Sequence, residues 1–244
     1  MKVIINGATG KMGQAVLALC RVGAYGVKSF SGVDVTGANR QFASALCDTV
    51  GKYDCLIDFS NRSATEEVLS YCLTRNTPAV IGTTGQTSVE MEKIAEASAA
   101  IPIFLSPNLS FGIAVLRRVC RLLSEWLPEA QIEIVETHRA GKTDAPSATA
   151  KMIAEDMIRL NPDSYPLYGR SGEGVRGMGE IGISSVRLGN CPGIHEVMFG
   201  TDTETVTVRH ETHDRRIYAE GALRAAAFLC RRPAGLYSME DLLG

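Results

Sequence analysis

Short apolar runs and helix-period segments alternate through the first half of the chain. Lys2 to Asn6 precedes a helical pattern from Met12 to Arg21, Asp54 to Ser60 precedes Ala64 to Arg75, and Ala79 to Thr83 precedes Ser88 to Ala99; a further apolar run spans Ile103 to Ser106. This alternation predicts βαβ units, and so a parallel sheet covered by helices on both faces. Each apolar run closes on small polar residues: Asp58-Phe59-Ser60, Gly82-Thr83-Thr84-Gly85 and Ser106-Pro107-Asn108-Leu109. In a doubly wound sheet these are the carboxyl ends of strands, where ligands bind. Turn chemistry explains any one of them, but three at the same edge point to a site.

After about Ser110 the pattern changes. A helix from Ile113 to Leu127 leads to a strand from Gln131 to Val135, a polar loop, a helix from Ala148 to Arg159 and a glycine-rich stretch from Gly169 to Gly182. Ile183 to Leu188, His195 to Gly200 and Thr203 to His210 then read as strands separated by turns, which predicts an antiparallel or mixed sheet. The expected fold class is α/β: a Rossmann-like doubly wound parallel sheet with a second α+β domain built on a mixed or antiparallel sheet. A final helix, about Ala219 to Arg231, is expected to return to the first sheet, so the domains should run 1–109 with 217–244, and 110–216.

Composition narrows the function classes. The 244 residues are 45% hydrophobic and 21% charged, ordinary for a globular chain of one large or two modest domains. A net charge of −2, with pI near 6.1, and no long basic run exclude nucleic acid as an expected partner. Seven scattered cysteines without a C-x-x-C pair argue against a disulfide framework or a zinc site and fit a reducing cytoplasm. No signal peptide and no membrane-spanning run is read at the sequence level.

Two segments carry chemistry. Glu136 to Ala150 reads E-T-H-R-A-G-K-T-D-A-P-S-A-T-A, which gathers His138, Arg139 and Lys142 just before a helix whose expected N-cap is Ser147. Cations beside free N–H groups at a helix start suit a carboxylate or phosphate. Gly7, Gly10 and Gly13 lie between a strand and a helix, where glycine lets the backbone approach a pyrophosphate. About twenty residues on, Asp34 is placed to accept hydrogen bonds from ribose hydroxyls. His138 and Lys142 taken singly could be solvated loop residues; their clustering argues for function. His195, His210 and His213 read as packed or surface histidines, no pair has metal-ligand spacing, and Ser110 lacks a nucleophile-elbow context.

The whole chain resembles the 4-hydroxy-tetrahydrodipicolinate reductase (dihydrodipicolinate reductase) family of the diaminopimelate route to lysine. N-G-A-T-G-K-M-G resembles the family's G-R-M-G segment, I-D-F-S and V-I-G-T-T-G its third and fourth strand ends, and N-L-S-F-G its crossover. The segment from Glu136 resembles the signature E-x-H-H-x-x-K-x-D-A-P-S-G-T-A. G-R-S-G, Arg187-Leu188-Gly189, Gly193-Ile194-His195 and G-L-Y-S-M-E-D-L-L also fit. Arg139 replaces the second histidine of the signature, and Ala148 its glycine.

The resemblance implies a dinucleotide-binding first domain and a second domain for substrate binding and oligomerisation, assembled as a homotetramer. Gly7, Ala8, Thr9, Gly10, Lys11, Met12, Asp34, Gly82, Thr83, Thr84, Ser106, Pro107, Asn108 and Leu109 are expected at the cofactor, and His138 and Lys142 as the catalytic pair. Arg139, Ser147, Ala148 and Thr149 are expected beside the carboxylates of a small dicarboxylate. Arginine can still clamp a carboxylate, and alanine keeps the backbone N–H provided the position does not need positive φ. NADH is expected to serve at least as well as NADPH: Asp34 is followed by Val35 and Thr36, although Arg40 is close enough in sequence to fold back. A non-catalytic redox sensor is the rival reading, since the glycine loop also resembles such modules, but a sensor has no need of His138 and Lys142. A short-chain dehydrogenase would carry a Tyr-x-x-x-Lys pair, which is lacking.

Overall fold

The apolar run after Met1 forms β1, Lys2–Asn6, and its side chains are buried on both sides of the strand in the computed structural model, which describes residues 1–35 and 42–244. In chain order there follow α1 Lys11–Arg21, β2 Ser29–Val33, β3 Cys55–Asp58, α2 Thr65–Arg75, β4 Ala79–Ile81, α3 Ser88–Ser98, β5 Pro102–Leu105 and α4 Phe111–Trp126. Then come β6 Gln131–His138, α5 Ala148–Leu160, β7 Tyr165–Tyr168, β8 Glu180–Arg187, β9 Ile194–Gly200, β10 Thr205–Glu211, α6 Arg216–Leu229 and β11 Gly235–Tyr237. These fall into two units, Met1–Phe111 with Arg216–Gly244, and Gly112–Arg215.

The first unit holds a sheet of order β11-β5-β4-β3-β1-β2 in which every pair is parallel. Alternation along each strand divides its apolar side chains between two faces. Ile4, Leu56, Ala79, Ile81 and Ile103 pack with Val68, Leu69 and Cys72 of α2 and Ile94 and Ala97 of α3. On the other face, α6 packs against β3, β4, β5 and α1. The ring of Phe104 there meets Phe228 edge-on, with centroids 6.3 Å apart. The returning helix therefore covers the first sheet as its composition suggested. Local chemistry sets the ends: Thr87 and Glu90 form a reciprocal capping box at α3, and Asn76 closes α2 in the left-handed conformation.

The second unit has a mixed sheet of order β10-β9-β6-β8-β7, with β6 parallel to β8 and antiparallel to β9. Helices α4 and α5 cover one face: Leu116, Cys120, Ile153, Ala154 and Met157 pack on Ile134, Ile181, Ile183, Val197 and Phe199. Val206 and Val208 pair with Phe199 and Val197, and so face this same core. The buried Asp156 of α5 receives two bonds from Arg117 of α4, at 2.6 and 2.8 Å. Among the described residues no helix is long and apolar enough to cross a membrane.

Besides β2, whose Ser-Phe-Ser-Gly-Val run falls outside the expected apolar runs, two short strands lack a sequence signal. β7 carries Pro166, which withholds a ladder donor and suits only an edge, and β11 is three residues long. The strand expected to stop at Val135 runs on to His138, because both of its neighbours continue the ladder past that point.

Candidate functional site

In the first unit the strand order reverses between β1 and β3, the switch point where a parallel sheet opens a crevice beyond its carboxyl ends. Gly7, Ala8, Thr9 and Gly10 form the turn after β1, and Lys11 and Met12 begin α1. Gly7 has φ +78°, and a Cβ on Gly13 would lie 2.1 Å from the Gly7 carbonyl oxygen, so neither position admits a side chain. No side chain caps α1 and its first turn carries no acid, which leaves backbone donors and the positive end of the helix dipole for an anion.

Asp34 follows β2, is 8% exposed, and accepts the N–H and the hydroxyl of Thr9. Thr36 and Arg40 lie outside the described residues. Gly82, Thr83 and Thr84 follow β4 and share a shallow cleft of about 520 Å³ with Lys11, Met12 and the turn after β3. Ser106, Pro107, Asn108 and Leu109 follow β5 at the same edge but do not line that cleft; the Ser106 hydroxyl donates to the Asn108 carbonyl. Beneath the cleft, buried Asp58 takes bonds from Asn6, Ser60 and Thr83 at 2.6 to 2.9 Å. Burial pushes its carboxyl up, and the three donors oppose that rise.

The second unit's site grows out of strand register. Ile132, Ile134, Glu136 and His138 alternate onto the helix-covered face of β6, so apolar residues at one end of the row give way to polar ones at the other. Glu136 pairs with Ser185 of β8 and His195 of β9, and His138 pairs with Arg187. Arg187 grips the fully buried Glu136 carboxylate with both terminal nitrogens, at 2.7 and 3.0 Å. The same carboxylate contacts His138 Nδ1 and accepts the Ser147 N–H. Burial would raise Glu136, but Arg187, Ser185 and His138 outweigh it and hold the pKa at about 2. His195 is buried edge-on to His138, with centroids 5.2 Å apart, and its Nε2 lies 3.1 Å from the Ser147 hydroxyl. Burial, and then the nearby His138, lower His195 to about 3, so it is neutral.

The remaining residues lie on the loop that follows. Lys142 Nζ bonds both oxygens of Asp144, at 2.7 and 2.8 Å, and Arg187 also reaches the Asp144 carbonyl. Arg139 is exposed. Ser147 caps α5, as its position in the sequence implied; its hydroxyl accepts the Ala150 N–H and meets His195, so it aims the helix start rather than presenting an oxygen outward. Ala148 and Thr149 open the helix, and Ala148 is not among the residues with positive φ, so alanine in place of glycine carries no backbone strain there. The peptide before Pro146 is cis.

Glu136, Arg187 and His195 were not singled out from sequence as site residues. Glu136 opens the signature segment and Arg187 and His195 lie in family-like turns, but the two-residue spacing of Glu136 and His138 pairs them only if the strand extends as far as His138. A cavity of about 660 Å³ lies at the opposite end of this sheet, beside Gln131, Arg176 and Glu180, and none of the residues expected at the site lines it. Among the described residues there is no group of His, Cys, Asp and Glu able to hold a metal ion.

A glycine-lined switch point on one unit and an acid–imidazole cluster beside a helix start on the other define a dinucleotide-dependent oxidoreductase, and its cofactor is a nicotinamide dinucleotide. Family models for the N-terminus and C-terminus of dihydrodipicolinate reductase match residues 1–109 and 112–243, and the chain belongs to that family. It is 39% identical over its full length to 4-hydroxy-tetrahydrodipicolinate reductase of Alkaliphilus oremlandii, covering 98% of that protein. The reductase of Rubrobacter xylanophilus is 40% identical, with 100% of this chain and 98% of that one covered. In fold the chain is similar to a dipicolinate-bound dihydrodipicolinate reductase from Paenisporosarcina sp. TG-14, with a TM-score of 0.80, 23% identity and 99% of each chain covered.

Proposed function

We infer that the protein is a 4-hydroxy-tetrahydrodipicolinate reductase of the diaminopimelate route to lysine, reducing a cyclic unsaturated imine dicarboxylate to tetrahydrodipicolinate. The observation that carries this reading is the cluster in which the Glu136 carboxylate joins His138 to the Ser147 N–H at the start of α5, in a chain whose full-length relatives bear that name.

The backbone donors of Lys11, Met12 and Gly13 would hold the cofactor's pyrophosphate, with Asp34 toward the adenine ribose and Gly82–Thr84 and Ser106–Leu109 along the remainder. The glycine cradle and the uncapped helix fit such a group. When bound, the reduced nicotinamide supplies a hydride. In the second unit the N–H groups of Ala148 and Thr149 and the Arg139 guanidinium would receive the substrate's carboxylates. His138 at Nε2 and Lys142 at Nζ would deliver the proton that completes the reduction and offset charge developing on the ring.

Asp34 supports use of NADH at least as well as NADPH, because a buried carboxylate repels a 2′-phosphate. The face of the second sheet opposite α4 and α5 carries Val135, Val186 and Met198, and within this unit no helix covers it, which supports assembly of a homotetramer through that face. The reaction belongs in the cytoplasm, where both a reduced nicotinamide pool and reduced thiols are available.

Steady-state oxidation of reduced cofactor with freshly made substrate tests the reading. His138→Ala and Lys142→Ala should each fold normally and lose about a hundredfold or more in turnover. Near-normal turnover of both variants at saturating substrate would remove the assignment, and a protein that binds cofactor but oxidises none of it would be a sensor.

A further inference from the structure

We propose that Glu136 is the positioning residue of the reaction: its carboxylate, held by Arg187, fixes the His138 ring with the proton on Nδ1 and leaves Nε2 as the nitrogen that exchanges a proton with the substrate. This deepens the reductase reading and rests on it for the identity of the reaction.

The argument is one of hydrogen-bond accounting. Glu136 is fully buried, and its oxygens face His138 Nδ1, two nitrogens of Arg187, the Ser185 hydroxyl and the Ser147 N–H. Arg187 has only donors and a backbone amide has only a donor, so the carboxylate must accept from both, which an ionised group does. An ionised carboxylate has no proton to give, so Nδ1 of His138 must carry one. The neutral ring then bears its lone pair on Nε2. That nitrogen faces Gly193, where even a Cβ would come within 3.1 Å of it, so glycine keeps space open at the exchanging position. Each turnover sends the Nε2 proton to the substrate and recovers one from solvent, while the Nδ1 proton stays shared with Glu136.

Apart from Glu136, the charged and titratable groups around His138 are Arg187 of β8, His195 of β9, and Lys142 and Asp144 of the following loop. Arg187 and Lys142 are cationic, His195 is neutral, and the Asp144 carboxylate is paired with Lys142. Glu136 is thus the anion in contact with the ring, and it stabilises the imidazolium that gives up the proton. The Ser147 bond extends the same control to the start of α5, so one side chain aligns the proton donor with the proposed carboxylate site.

The test has two arms. Long-range proton–nitrogen correlation spectra of the wild-type protein, free of ligands, should show neutral His138 protonated at Nδ1; protonation at Nε2 overturns the proposal whatever reaction the protein catalyses. Glu136→Gln should lower kcat by about tenfold to a hundredfold with KM for the dicarboxylate changed less than about twofold. It should also move the alkaline limb of the pH profile down, because the imidazolium loses its counter-charge, and Glu136→Asp should recover part of the loss. A purely structural Glu136 would instead lower thermal stability and leave the pH profile and the ring-nitrogen shifts in place, which also overturns the proposal. If Glu136→Gln does not fold, the wild-type tautomer alone decides. If the wild-type protein reduces no substrate, the reductase reading falls while the tautomer still tests this one.

Discussion

Thr9 donates both its backbone N–H and its hydroxyl to one carboxylate oxygen of Asp34, at 2.9 and 2.6 Å. The acid at the end of β2 therefore also braces the glycine loop. Held in this way, Asp34 cannot easily swing aside for a 2′-phosphate. The kcat/KM for NADH should equal or exceed that for NADPH at matched low salt. A tenfold or greater advantage for NADPH, about 1.4 kcal/mol, would mean that a basic residue counters Asp34.

Arg139 is exposed on the loop, and the bonds that hold the Glu136 carboxylate come from Arg187, Ser185, His138 and Ser147. A clamp of this kind holds ground and transition states alike, so Arg139→Ala should chiefly raise KM for the dicarboxylate. A large fall in kcat at unchanged KM would contradict that role.

Gly193→Ala should crowd His138 Nε2, since the added methyl would sit 3.1 Å from it. The expected result is a loss of kcat of about tenfold or more in a protein with an unaltered far-ultraviolet circular dichroism spectrum. Full activity would show that the ring can retreat and that the clearance is not needed.

Acid should destabilise the fold in two stages. His195 stays neutral down to about pH 3 when folded, against 6.5 when unfolded, so the unfolded chain binds the extra proton between these values. Stability from this group therefore falls as pH drops below about 6.5, by up to about 1.4 kcal/mol per unit. Glu136, held at about 2 against an ordinary 4.5, contributes stability that is complete above about 4.5 and lost below it. Denaturant midpoints measured from pH 7 to 4 should fall, and the fall should be shallower in His195→Gln. Equal slopes would exclude His195 as the source.

The proposed tetramer is checked by sedimentation at micromolar concentration, where a monomer would reject it. Val186, 40% exposed on the open face, is the substitution to make: Val186→Glu should dissociate the assembly if that face is the interface. Val206 and Val208 do not belong to that face, because both pack on their own unit's core.

Residues close together in the chain carry much of this fold. Period-two and period-3.6 patterns place β1, β3, β4 and β5 and most helices, Ser147 reads as the cap it proves to be, and the spacing of three glycines marks the switch point, because each of these features is local. Strand pairing decided the rest. Glu136, Arg187 and His195 are brought together by the register of β6, β8 and β9 across as many as 59 positions, and nothing local announces a partner at that range. The same register made His138 the end of a strand rather than a loop residue, and turned a histidine that looks packed on its own strand into the edge-on neighbour of the proposed proton donor. Side-chain alternation is written in the sequence; which strands lie side by side is settled only when the whole sheet buries its apolar face at once.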